Sequence, residues 1–192
     1  MGNLEKSLGH FELARQEYME SLTSFQTVAS GSPTRCLNEL STLFYDLGLL
    51  ESRRDSLTEA RQYFEKAVKG FRSLVESDPN AYSPNLAKAL MDLGVTNGKL
   101  GQFEDAQNDL EESLKIRRDM AKTDQRHLAD IGADLVNLGA LEAEQHNIVK
   151  ALRYLGEARG VFQQVSAFSP EEGSRGVSQV DAIIKGLEMS QK

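Results

Sequence analysis

Tryptophan is absent from the 192 residues, proline occurs four times and cysteine once. With Cys36 alone, no internal disulfide can form, which excludes a stapled secreted scaffold and fits a reducing compartment. No Asn-Gly or Asp-Gly dipeptide lies between alternating apolar runs, so hairpin and strand signals are missing. Long apolar runs are missing too: none approaches membrane-spanning length, and Glu5, Lys6, Glu12, Arg15, Glu17 and Glu20 break up the segment from Met1 to Ser30. These absences predict a soluble, cytoplasmic protein that neither enters a membrane nor needs a metal or disulfide staple. Excess positive charge is also lacking. A formal net charge of −7 repels a phosphate backbone, and nucleic acid is not an expected partner. One basic cluster, Lys115, Arg117, Arg118, Lys122 and Arg126, is interleaved with Glu111, Glu112, Asp119 and Asp124 and reads as a solvated helix face.

What is present is a repeat. Leu-Gly pairs recur at Leu47-Gly48, Leu93-Gly94 and Leu138-Gly139, spaced by 46 and 45 residues, a period that signifies stacked supersecondary units. Thirteen residues after each leucine stands an alanine (Ala60, Ala106, Ala151), and four further on a bulky residue (Phe64, Leu110, Leu155). A small side chain returns seven after the alanine, at Ala67, Ser113 and Ala158, and an earlier copy falls on Ala14, Tyr18 and Ser21. Pro33, Pro79, Gln125 and Pro170 mark one joint in each unit. Small residues at fixed spacing let antiparallel helices approach closely, and the large residue one turn away fills the remaining space. One unit is therefore one helical hairpin. In the best-patterned segment, Leu57, Ala60, Phe64, Ala67, Val68, Phe71, Leu74 and Val75 fall at helical spacings, behind a predicted capping box of Ser56 and Glu59. Ser32-Pro33, Ser83-Pro84 and Ser169-Pro170 are predicted helix starts, each a hydroxyl before a first-turn proline, the last with Glu172 at the capping-box position. Helices are expected at about 11–30, 34–54, 57–77, 84–100, 103–122, 126–145, 148–168 and 174–189.

These residues resemble the tetratricopeptide repeat, whose signature runs W-x2-L-G-x2-Y and then A-x3-F. Leu47, Gly48, Ala60, Phe64 and Ala67 match in one copy, and Leu93, Gly94, Gly101, Phe103, Ala106 and Leu110 in the next. The tryptophan position holds Phe44, Leu90 and Leu135, and the tyrosine position Glu51, Asn97 and Glu142. The unit exceeds the ordinary 34 residues by about twelve, placed at the joint between hairpins, where they lengthen both flanking helices by roughly 9 Å each. That looks like the extended repeats of kinesin light chains and of many bacterial and fungal signalling proteins. The resemblance implies an all-α, right-handed α-solenoid of antiparallel hairpins over 1–168, with a partial unit at 1–33 and full units at 34–79, 80–125 and 126–170. A capping helix is expected over 171–192, on the stripe Val177, Val180, Ile184 and Leu187. Met1-Gly2 occupies the Leu-Gly position, so the first unit lacks nearly all of its first helix. Either the chain is a fragment of a longer array or something covers the face of helix 11–30, and a homodimer through that face is one expectation.

No constellation for catalysis, a metal or a cofactor is found. His10, His127 and His146 have no second ligand at helical or loop spacing and read as surface histidines. Gly94-x-x-x-Gly98-Lys99 lacks a phosphate loop's first glycine and its Ser or Thr, and reads as a helix end. Glu111 with Glu112 and Glu171 with Glu172 are sequence neighbours that do not converge on a substrate. Gly156 and Gly160 read as a tight helix contact. In proteins that this chain resembles, the first helix of each hairpin lines a concave face where partners dock. Carried over, the groove positions are Tyr45, Leu49, Met91, Val95, Val136 and Ala140, with Lys88 in the neighbouring turn. They suit an apolar or amphipathic helix, unless they pack against neighbouring helices instead. The expected function is a non-catalytic scaffold for a protein or peptide. The alternative is a fragment of a sensor whose repeats bind a small effector or signalling peptide.

Overall fold

In a computed structural model of the protein, the described residues are Leu13, Arg15, Gln16, Glu17, Glu20 and the continuous stretch 33–189. The expected helix at 11–30, and the dimer face assigned to it, lie mostly outside them. Among the described residues there is no strand. The elements are α1 (Pro33–Arg53), α2 (Leu57–Ser77), α3 (Pro79–Lys99), α4 (Phe103–Ala121), a 3-10 turn (Gln125–His127), α5 (Leu128–Glu144), α6 (Ile148–Val165) and α7 (Pro170–Met189). Helices adjacent in sequence pack as neighbours: α1 with α2, α2 with α3, α4 with α5, α5 with α6, and α6 with α7. The chain divides into two compact units, Met1–Leu100 and Gly101–Lys192.

The repeat positions are the core positions. Ala60, Ala67, Ala106, Ser113, Ala151 and Ala158 are all fully buried, and Phe64, Leu110 and Leu155 are nearly so. The Leu-Gly pairs explain how close the helices come. A Cβ on Gly48 would stand 2.6 Å from the Phe64 ring, and one on Gly139 2.8 Å from Leu155 Cγ. In the second unit Phe162 is gripped from two sides, 2.5 Å from a Cβ built on Gly132 and 2.3 Å from one on Gly176. At the tryptophan position Phe44 stacks on Tyr63 at 6.4 Å, and Lys66 Nζ lies 5.3 Å from each ring centre. The last helix, α7, packs mainly on α6, also touches α5, and buries Val180 completely.

The hairpin turns repeat as well. Asp55, Gly101 and His146 all have positive φ (62°, 75° and 61°) at the same repeat position, the left-handed residue that commonly ends a helix. In two copies the tyrosine position of the signature is a buried glutamate that ties this turn. Glu51 accepts from Arg15 Nε at 2.9 Å and Arg54 Nη1 at 3.3 Å, and Glu142 from Asn147 Nδ2 at 2.9 Å and Lys150 Nζ at 3.4 Å. Their backbone carbonyls accept from Ser56 N at 3.0 Å and Asn147 N at 2.8 Å.

Several boundaries differ from expectation. The third helix begins at Pro79 rather than 84: Asp78 caps it by accepting from Ala81 N at 3.1 Å, and Pro84 lies inside the helix. Pro79 takes the first-turn place, where a missing N–H costs nothing. Likewise α7 begins at Pro170, the start read from Ser169-Pro170, rather than at 174. The Ser56 hydroxyl makes no cap bond, so the capping box does not form. Its reciprocal half has nothing to gain, since Ser56 N already donates to Glu51 O. Residues 125–127 form a 3-10 turn before α5, capped by Asp124, whose carboxyl is held down at about 2 by hydrogen bonds from Arg126. The joint between α2 and α3 is Asp78 alone, so the extra length of the repeat lies in helices of 21 residues, about 30 Å long. Gly156 and Gly160 do not form a tight contact, because a Cβ on either would meet nothing within 4 Å.

Candidate functional site: the repeat face

The groove positions of the first unit come from α1 and α3, and Tyr45 joins them. Its ring packs 5.7 Å from that of Phe64, and its hydroxyl donates to Asp92 Oδ2 at 2.5 Å. Lys88 Nζ lies 4.9 Å from the Tyr45 ring centre, a cation on the negative face of an aromatic. Lys88, Met91, Asp92 and Val95 follow one helical stripe of α3, and Tyr45 and Leu49 one stripe of α1. The two stripes therefore run beside each other. Tyr45 is 8% exposed and belongs to the core; Leu49, Met91 and Val95 are half-buried, and Lys88 is exposed. Asp46, one residue from Tyr45, has its carboxyl pushed up by burial, with Lys88 pulling it back. The face is thus a half-buried apolar strip with a charged rim.

In the second unit Val136 is buried and Ala140 is exposed, both on α5. The same helix carries a buried ionic cluster that no sequence spacing announces. Asp134, with no exposure, accepts from Ser113 Oγ at 2.9 Å and from Arg117 Nη1 at 2.8 Å. The same Arg117 nitrogen also donates to the Asp130 carbonyl at 2.9 Å. Burial pushes the Asp134 carboxyl up to about 7, against the pull of Arg117 and Ser113. Arg117, read from sequence as part of a solvated basic face, is only 5% exposed, because it is this carboxylate's partner. Arg126 turns instead to Asp124. Lys115, Arg118 and Lys122 remain on the surface.

Among the described residues no three His, Cys, Asp or Glu side chains gather as metal ligands would, and no helix is long and apolar enough to cross a membrane.

Residues 39–119 match the family model of the tetratricopeptide repeat. No curated protein matches the chain. Among solved structures it is similar to BtubC (BKLC) from P. vanneervenii, with a TM-score of 0.65 and 19% identity over 98% of this chain and 77% of that one. It is also similar to the apo form of RapI, with a TM-score of 0.62 and 17% identity over 92% of this chain. The chain spans 46% of RapI, less than half its length. At these identities the likeness is one of fold. The repeat register, the glycine contacts and the matched segment agree: residues 39–119 are tetratricopeptide repeats, and they lie within an all-helical repeat fold across the described residues.

Proposed function

We propose that the protein is a non-catalytic interaction scaffold that takes a peptide or helix on the repeat face. In the first unit Leu49, Met91 and Val95 supply the apolar strip, Lys88 the charged edge and Tyr45 the floor. In the second unit Ala140 offers contact beside the buried Val136. The observation that carries this reading is the bridge from Tyr45 to Lys88 and Asp92, which holds the stripes of α1 and α3 side by side. An amphipathic helix suits such a surface: side chains one turn apart fill the strip, and its polar flank meets Lys88, Asp46 and Asp92. Tetratricopeptide repeats are generally protein-binding and non-catalytic, and buried Tyr45 helps pre-organise this face, which lowers the cost of binding.

Affinity capture from the native source, run on the wild-type chain and on Met91→Glu, tests this directly. A reproducible partner lost on substitution, with circular dichroism unchanged, is the expected result. Retention of every partner would move the binding surface elsewhere.

A further inference from the structure

The second unit has a cleft that the repeat face does not use. It is an open cleft of about 630 Å³ between α4 and α6, within the size range of ligand sites. Buried Leu114 forms its base, and Lys115 and Arg118 of α4 with Lys122 at its C-cap share it with Arg153 and Tyr154 of α6. These three cations, three and four residues apart, lie along one face of the helix and its end. The acids in the lining are Glu111, Asp119 and Glu157. Four cations against three acids reverse the sign of a chain whose net charge is −7.

The acids are unevenly used. Asp119 pairs with Lys122 at 2.6 Å, and Glu157 pairs with Arg118 from one helix to the other. Lys115, whose charge adds to the hydrogen bond and charge of Lys122 in holding the Asp119 carboxyl down, and Arg153 make no ion pair within 4 Å among the described residues. Arg153 lies 5.3 Å from the Tyr154 ring centre, its guanidinium still able to donate. The Arg118–Glu157 pair is about half exposed on both sides, 48% and 46%. Such pairs contribute little, so an incoming carboxylate can replace Glu157 on Arg118 at small cost.

We infer that this cleft docks an acidic segment of a partner protein, with Lys115, Arg118 and Arg153 receiving its carboxylates and Tyr154 packing against its backbone or stems. The charged walls disfavour an apolar ligand. The negative charge of the rest of the chain disfavours an extended polyanion, whereas a short acidic segment meets a lining in which the cations outnumber the acids.

The test is fluorescence anisotropy with a labelled oligoglutamate peptide and an oligodeoxythymidine of equal length, at low and at physiological salt. Lys115→Glu/Arg153→Glu is compared with Lys69→Glu/Lys185→Glu, which alters the net charge equally at exposed sites outside the cleft, after circular dichroism shows both folded. The expected result is oligoglutamate binding that the cleft variant weakens about tenfold or more and the control variant does not. Absence of binding by the wild-type chain, or equal loss in both variants, would overturn the assignment. Tighter binding of the oligodeoxythymidine with the same dependence on Lys115 and Arg153 would overturn the acidic-protein partner.

Discussion

The same repeat positions are filled in opposite ways in the two units. In the first, Ala67, Phe71 and Ala89 are all buried and apolar. In the second, their repeat equivalents are Ser113, Arg117 and Asp134, equally buried and joined by hydrogen bonds. The equivalent positions after the next turn return to Ala158 and Phe162. The repeat backbone therefore tolerates either solution, and what the ionic one changes is how the unit responds to substitution and to pH. A buried pair is poor evidence of added stability, since desolvation offsets the attraction, but a broken one is costly.

Asp134→Ala breaks the comparison most sharply. At pH 8, where the Asp134 carboxyl is ionised, it leaves Arg117 buried without its partner and should cost about 3–5 kcal/mol in urea unfolding. A loss near that of an ordinary surface substitution would mean that Arg117 escapes to solvent. Converting the second unit to the first, with Ser113→Ala, Arg117→Phe and Asp134→Ala together, should be neutral or stabilise by about 1–4 kcal/mol. Strong destabilisation by that triple variant would show that the cluster, not the repeat, specifies the joint.

Close glycine contacts give the next effect. Gly173→Ala places a Cβ 2.4 Å from the Ser166 backbone nitrogen and should cost about 1–3 kcal/mol. Gly156→Ala and Gly160→Ala face open space and should each gain up to about 1 kcal/mol from helix propensity. Thermal unfolding of the three variants checks both signs. If all three shifted alike, the packing assigned to α6 and α7 would be wrong.

The pH effect follows from the raised Asp134 pKa. With a folded value of about 7 and an unfolded value near 3.9, the folded chain binds more protons between those pH values. The contribution from this group is fully present below pH 4 and is lost as pH rises through 7. Stability measured from pH 4 to 8 should fall less steeply in Asp134→Asn than in the wild-type chain. An unchanged slope would remove Asp134 as the cause. The smallest effect belongs to the turns: His146→Gly should gain about 0.5–1 kcal/mol, because a non-glycine residue there holds a left-handed φ.

The hairpin register was legible in the sequence because one physical demand, close approach, repeats at Gly48 and Phe64 and again at Gly139 and Leu155. Pro33 and Pro170 were legible as helix starts, whereas the start read at Pro84 falls on Pro79, which the sequence marked only as a joint. What stayed hidden depends on partners distant in the chain. Arg117 reads as a surface cation until α5 brings Asp134 to it, and Ser113 as a small spacer until it becomes a donor. Burial of Tyr45 stood only as the alternative to a groove position, because its hydrogen bond to Asp92 and its ring contact with Phe64 come from two other helices. Arg153 and Glu157 joined the basic stripe of α4 only through the fold, 35 and 39 residues beyond Arg118 in sequence.

The most direct test of the repeat face places a photo-crosslinking amino acid at Lys88, exposed beside Tyr45, and in a parallel chain at Lys69, exposed on α2. After irradiation in the native source, mass spectrometry should find a reproducible protein or peptide adduct from position 88 and none from position 69. Adducts from position 69 alone would contradict a partner docked on the repeat face.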